Sequence, residues 1–367
     1  MVSPGAICWL NDRGIIVQFE FTEEQRMIAS MAEEFSRAKG TSEKVRQAME
    51  SEAGYLPEVW RSLSTELGLC GLLVPESAGG QGLTIVEMAL VFEQLGKTLL
   101  PSPLLTTGVL SVAILDKLGQ TSVLEKIARG ESRCTAAYLV EGTAQFVLDA
   151  AGADHLILAD MNTSSVYIVD KPGSTTGLIA EPIDMMDQTR RMASVSVTDF
   201  GAIEEYKVAT GTEALAAMQA GFDLARIALG AEAMGAAQEC LARTVEYARE
   251  RVQFGRTIGS FQAVKHQLAD MMVVNEAAIS AVYFAACTVS ENPGESPHMA
   301  ALAKVQASEA LSHCAARMIQ LHGGIGFTWE HDAHLYFKRA RSTSTLFGLN
   351  SDLDETIAQE IGLEAYA

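Results

Sequence analysis

Arg251, Gln253, Phe254 and Gly255 stand together at the end of a helical run, and Gln262 lies just beyond them. An arginine fork grips phosphate oxygens, an aromatic ring can cover a nucleoside, and a glycine lets backbone approach an anion. Further along, Gln320 precedes Gly323 and Gly324 in the run Gln-Leu-His-Gly-Gly-Ile-Gly-Phe. Adjacent glycines after a helix permit positive φ and close backbone approach to a phosphate or ribose. Each segment also has a purely structural reading. Arg251 would favour a helix C-terminal dipole, Phe254 would be a core residue at a turn, and Gly323 would be a helix cap.

Other polar groups have weaker claims to chemistry. His331 and His334, at i and i+3, can share a helical face as a metal pair, yet no third ligand accompanies them. His266 and His322 read as solvent-facing or hydrogen-bonded, and no metal site is expected. Asp352 and Asp354 look like first-turn helix acids stabilised by the dipole, with Glu355 beside them, and Asp223 and Glu232 look like helix-face charges. Lys338, Arg339 and Arg341 form a basic cluster suited either to a ligand phosphate or to subunit ion pairs.

The elements that position these residues fall into three stretches after residues 1–18, which read as a tail or extended start. Residues 19–131 are helical. Thr22 and Gln25 form a capping box, Pro57 opens a helix, and Thr84 caps another. Residues 132–210 change texture. Short β-branched runs at 134–140, 155–158, 165–169 and 192–197, separated by Gly, Asp, Pro and Ser, read as strands of a small β domain. Residues 211–367 return to long Ala-rich helices at 211–253, 261–290 and 297–321, with a short one after Asn350 capped by Ser351 and Asp354. The fold class is α+β, mainly α.

The bulk numbers exclude some functions. The chain has 367 residues, 48% of them hydrophobic, and a formal charge of −19. That balance argues against a nucleic-acid or anionic-membrane partner. No run reads as long and apolar enough to span a membrane, and no secretory leader is evident. Six dispersed cysteines without a CxxC pair fit reduced thiols and a cytoplasmic location.

Taken together, Arg-Val-Gln-Phe-Gly at 251–255, Phe-Gln-Ala-Val-Lys-His-Gln-Leu-Ala-Asp-Met at 261–271 and the glycine-rich segment at 320–327 resemble the acyl-CoA dehydrogenase family. The resemblance covers nearly the whole chain from Phe19. It implies an N-terminal helical domain, a middle β domain and a C-terminal four-helix bundle. It also implies FAD, whose ADP half would be held by Arg251, Gln253, Phe254, Gln262, Gln320, Gly323 and Gly324 across a dimer interface, with the isoalloxazine ring in the neighbouring subunit.

Two family features are missing. The family removes a proton alpha to a thioester with a glutamate, usually just before a glycine in the loop after the last motif. Here Phe347 precedes Gly348. A minority place the glutamate on the helix, where this chain has Ala225. Neither side chain takes a proton. The Thr-Glu-Pro…Gly-Ser-Asp loop that holds ring and substrate is also absent near 138–145, with Thr143 a candidate remnant.

The resemblance narrows to bacterial α2β2 enzymes of sterol side-chain degradation, in which one subunit is degenerate. It implies a related partner subunit carrying the glutamate, an acyl-CoA substrate and an electron-transfer flavoprotein as acceptor. Two alternatives stay open: a homotetrameric dehydrogenase with a displaced base such as Asp352 or Asp354, and a non-enzymatic structural or binding subunit.

Overall fold

The computed structural model describes residues 8–10, 16–18, 21–170 and 177–363. Part of the expected 1–18 tail lies outside the described residues. Within it, β1 (Cys8–Leu10) and β2 (Ile16–Gln18) pair antiparallel. Six α-helices follow among the described residues: α1 (Glu23–Lys39), α2 (Ser42–Glu50), α3 (Pro57–Arg61), α4 (Ile85–Thr98), α5 (Val112–Lys117) and α6 (Thr121–Ala128).

The local signals act as their chemistry dictates. Thr22 accepts from the Gln25 amide while the Gln25 side chain accepts from the Thr22 amide, closing both ends of the box. Thr84 and Glu87 do the same for α4, and each box satisfies amides that a helix start leaves unpaired.

Among the described residues the middle region holds seven strands: β3 (Cys134–Leu139), β4 (Thr143–Leu148), β5 (His155–Asp160), β6 (Ser165–Asp170), β7 (Leu178–Ile183), β8 (Met192–Val197) and β9 (Lys207–Thr210). They form two sheets, ordered β3-β5-β6-β9 and β4-β8-β7, and only the β3–β5 pair is parallel. Strands β4, β7 and β9 go beyond the four that apolar runs predict. The two sheets enclose a small core of Leu139, Leu156, Leu158, Val147 and Val195. Alternate residues of β5, Ile157 and Ala159, face the main helical core instead. Strand β5 is therefore buried on both faces, which explains its unbroken apolar run.

The C-terminal region comprises α7 (Thr212–Glu250), β10 (Val252–Gln253), β11 (Arg256–Thr257), α8 (Gln262–Glu291), α9 (Ser296–His322), α10 (Ala333–Thr345) and α11 (Asn350–Glu360). Helix α7 packs on both α9 and α4, so its middle is buried all round and shows little amphipathic stripe. Two readings change here. The α11 N-cap is Leu349, with no side-chain cap bond, rather than Ser351. Helix α8 contains a stretch long and apolar enough, by composition alone, to cross a membrane, so the reading that no such run exists is corrected. That helix packs against α7 and α9, and less than half of the stretch is buried.

Helices α4 and α7 cross at glycines. A Cβ on Gly235 would lie 1.9 Å from the Glu93 carbonyl oxygen, and one on Gly96 would lie 2.0 Å from that of Glu232. Neither backbone can yield without parting the helices. Gly235→Ala should therefore lower stability by about 1–3 kcal/mol through overpacking, read as a shift in the urea midpoint. A midpoint that does not move would show that the crossing is loose.

Candidate nucleotide-gripping surface and a closed base position

Helix α7 ends at Glu250, and its C-cap Arg251 turns extended and feeds the β10–β11 hairpin. Phe254 and Gly255 form its tip, at φ 52° and 77°. Left-handed conformation at both central positions suits a two-residue hairpin, and Gly255 supplies it without steric penalty. The tip lifts Phe254 into solvent, where it is 92% exposed. The alternative of a core Phe at a turn is thereby excluded, and the ring meets Phe261 edge-on at 6.3 Å between centroids. Arg251 is also exposed, and its guanidinium makes no hydrogen bond or ion pair among the described residues. Gln253 sits in the hairpin and Gln262 opens α8, both exposed.

The second segment comes to the same end of the bundle. Tyr247, one turn before Arg251, stacks on His322 at 4.3 Å, and its hydroxyl donates to the His322 carbonyl at 3.3 Å. His322 is the last residue of α9, and Gly323 and Gly324 follow it. Gly323 has φ 65°, and a Cβ on Gly323, Gly324 or Gly255 would meet no atom within 4 Å. Gln320 is exposed on the last turn of α9. Three open glycines, a free guanidinium and an exposed ring thus share one end of the molecule. Beyond them Phe327 and Trp329 also stand in solvent.

The histidines of this region make mainly local contacts, and the buried His334 Nε2 has no hydrogen-bond partner among the described residues. His322 Nδ1 contacts the Met318 carbonyl at 2.8 Å, and burial pushes its pKa down. His331 Nδ1 accepts from the Ala333 amide at 3.1 Å. His334 meets the Trp329 ring edge-on at 4.6 Å.

The base position is built differently. Phe347 has φ 58°, a conformation uncommon for a bulky side chain. Two cations hold the loop in it. Arg226 Nε donates to the Phe347 carbonyl at 2.8 Å. Lys304, fully buried, donates to the carbonyls of Ser344 (2.9 Å) and Gly348 (2.7 Å) and to Asn350 Oδ1 (2.7 Å). All three ammonium protons are satisfied, although burial and the Arg226 charge push the Lys304 pKa down to about 8. The Phe347 ring meets Phe222 edge-on at 5.5 Å, and Phe222 stacks on Tyr138 at 5.0 Å. Ala225 is fully buried. Strand β3 carries Tyr138, and Glu141 and Gly142 turn the chain straight back into β4 at φ 52° and 78°. Where the family's ring-holding loop would stand there is a two-residue turn, and the Thr143 hydroxyl donates to the Val140 carbonyl at 3.1 Å.

Several charged residues stand elsewhere than the sequence suggests. Arg339 is not a surface cation: it is buried, pairs with Asp187 and with Glu232 at 2.8 Å, and donates to Thr189 Oγ1. Glu232 is therefore not a helix-face charge, and Arg190 also pairs with it. Asp223 is likewise buried, accepting from Arg226 at 2.7 Å and Gln219 at 2.8 Å. Burial pushes its pKa up against the pull of Arg226. Asp352 and Asp354 are exposed on the first turns of α11. Lys338 lies over Trp329 and Arg341 over Phe337. No local signal in the sequence marks Asp187, Thr189 or Arg190, because their partners lie far away in the chain.

The model of the acyl-CoA dehydrogenase C-terminal domain matches residues 214–362, and that of the N-terminal domain matches residues 22–131. The chain belongs to the acyl-CoA dehydrogenase family. It is 39% identical over 327 residues to acyl-CoA dehydrogenase IpdE2 of Mycolicibacterium smegmatis, covering 89% of this chain and 95% of that protein. It is 31% identical over 298 residues to FadE34 of Mycobacterium tuberculosis, covering 79% of this chain and 41% of that protein. Among solved structures, a variant of the Tcur3481-Tcur3483 steroid ACAD aligns with TM-score 0.82 at 28% identity, over 94% of this chain and 99% of that one. The ChsE4-ChsE5 complex of Mycobacterium tuberculosis aligns with TM-score 0.84 at 24% identity, over 95% and 100%.

Acyl-CoA dehydrogenases are FAD-dependent oxidoreductases. The residues present fit the nucleotide half of FAD: the glycine surface is open and Arg251 is unpaired among the described residues. At the two positions where the resemblance leads one to expect a base the chain carries Phe347 and Ala225, which take no proton.

Proposed function

We propose that this acyl-CoA dehydrogenase acts as the non-catalytic subunit of a hetero-oligomer and lends the ADP-binding half of a shared FAD site to a related partner. The observation that carries this reading is the separation of two surfaces. Arg251, Gly255, Gly323 and Gly324 lie open at one end of the bundle, while the base position is an apolar ring against Phe222. When bound, FAD supplies the hydride acceptor for α,β-dehydrogenation of an acyl-CoA. In that assembly Arg251 would fork onto the pyrophosphate, and the open glycines would let backbone amides reach it. Proton abstraction would fall to a glutamate of the partner. An electron-transfer flavoprotein would take the electrons, and the assembly would be cytoplasmic.

The exposed apolar residues support a partner. Phe254, Phe327 and Trp329 surround the glycine surface, and Met272 and Val273 stand in solvent on α8. Exposed apolar patches of this kind mark association surfaces. Similarity to the Tcur3481-Tcur3483 steroid ACAD supports a steroid-derived acyl-CoA as the substrate class.

The test is colour. The chain is purified alone and with a second dehydrogenase homologue encoded beside its gene, and visible spectra are recorded. Flavin absorbance and acyl-CoA turnover only on co-purification are expected. A yellow, active preparation of the chain alone would overturn the reading in favour of a homotetramer. Colourless protein in both would favour a structural subunit.

Phe347→Glu provides a second check. It puts a carboxylate at the base position, but the two-residue β3–β4 turn is unchanged. Turnover of the isolated variant should stay at background in a dye-reduction assay. Substantial turnover would show that a complete ring pocket exists in this chain.

A further inference from the structure

A cavity of about 380 Å³ lies between the N-terminal helices and the β4-β8-β7 sheet, away from the glycine surface. Its volume is within the range of small-molecule sites. Pro103, Pro182 and Met192 give it apolar walls. Four charged side chains also line it, two of each sign: Glu52, Asp149, Arg133 and Arg191.

Both arginines are already engaged. Arg133 pairs with Asp154 at 3.0 Å. Arg191 donates to the carbonyls of Met49, Ser51 and Gln188. A charged ligand of either sign would meet a like charge here, and an uncharged one avoids that repulsion.

Besides the exposed Glu52, two half-buried polar groups remain available. Asp149 sits at φ 61° where β4 ends, and its amide donates to the Arg191 carbonyl at 2.8 Å. A left-handed aspartate is a local strain that persists only where the surroundings fix it. Thr106 Oγ1 donates to Asp149 Oδ2 at 2.7 Å, while Oδ1 accepts no hydrogen bond from the described residues. The Tyr55 hydroxyl oxygen accepts from Arg133 at 2.6 Å, and its own proton has no acceptor among the described residues. Beside the exposed Glu52 carboxylate, the cavity therefore presents one half-buried acceptor and one half-buried donor.

We propose that this cavity binds an uncharged, mainly apolar molecule bearing a hydroxyl group, with Asp149 Oδ1 accepting the ligand proton and the Tyr55 hydroxyl donating to a ligand oxygen. Burial supports the role of Asp149 by pushing its pKa up to about 6, against the pull of Thr106, Arg190 and Arg133 and with Glu232 adding to the rise. A carboxylate so poorly solvated gains from an incoming donor.

The probe pair is 2-naphthol and 2-methylnaphthalene, of similar shape, titrated into the full-length protein by ligand-observed NMR. Saturable 2-naphthol binding, about tenfold tighter than 2-methylnaphthalene, is expected from one hydrogen bond. Asp149→Asn tolerates the left-handed backbone and replaces the carboxylate by a neutral amide, a weaker acceptor. It should lower 2-naphthol affinity about tenfold and leave 2-methylnaphthalene unchanged. Tyr55→Phe should weaken 2-naphthol alone, by a smaller factor. Equal binding of the two probes to the wild-type protein, or no saturable binding, would overturn the proposal even if a variant fails to fold. So would unchanged 2-naphthol affinity in both folded variants.

Discussion

Asp187→Asn should destabilise the protein by about 3–5 kcal/mol, the usual effect of breaking a buried ion pair from one side. Asp187, Glu232, Arg190 and Arg339 are all buried, and their two positive charges face two negative ones. Asp187 also accepts from Ser342 and from the Thr189 amide at 3.1 Å. The cluster ties the β domain (Asp187, Arg190) to α7 (Glu232) and α10 (Arg339), and Arg339 reaches the Leu99 carbonyl at 3.4 Å. Neutralising Asp187 leaves two guanidinium groups sharing one carboxylate, with Arg190 Nη1 already lacking a partner among the described residues.

A pH dependence accompanies the loss. Burial alone would raise the Asp187 pKa, but Arg339, Arg190, Ser342 and Thr189 together hold it below its ordinary value of 3.8. A depressed native pKa means that the unfolded chain binds the proton more readily. The stabilisation is therefore present above about pH 4 and is lost as pH falls through the native pKa. Urea midpoints from acidic to neutral pH check both parts. The variant should be weaker at neutral pH and should lose less than wild type on acidification. An unchanged midpoint at neutral pH would show that the cluster holds nothing together.

This cluster also marks the limit of what the sequence made legible. Capping boxes at Thr22 and Thr84 act over three residues, so local spacing reveals them. The strands at 134–139, 155–160, 165–170 and 192–197 announce themselves through apolar runs. Strand β4 hides because Phe146 is left-handed and a bulge breaks its register with β8 between Ala144 and Val147. Strand β7 carries Pro182, which an edge strand tolerates and a sequence pattern penalises. Ion pairs are harder still. Arg339 and Glu232 are 107 residues apart and Ser342 and Asp187 are 155 apart, so nothing in either neighbourhood distinguishes them from surface charges. At the candidate site, resemblance proposed the residues but gave no information on their exposure. The type of Phe254 alone also fits a core ring, and only the hairpin shows that it stands in solvent.

Arg251→Ala should leave the fold intact and strip flavin from the assembled protein. The side chain is exposed and makes no hydrogen bond or ion pair among the described residues, so its removal costs little in stability. Under the shared-site reading it becomes a charged partner of a phosphate that binding desolvates. Removing one side of such a pair weakens association by about 2–5 kcal/mol, which converts to roughly 30-fold to several-thousand-fold in affinity. The measurement is flavin per heterodimer after gel filtration, from visible absorbance, alongside thermal unfolding of the isolated chain. Flavin loss at an unchanged melting temperature would place the arginine on the nucleotide. Full flavin retention would remove Arg251 from the site. If retention were also unchanged in Gly323→Val, which crowds the open turn at φ 65°, this surface would not hold the coenzyme at all. The division of labour between an open glycine surface and a closed base position would then lose its first half.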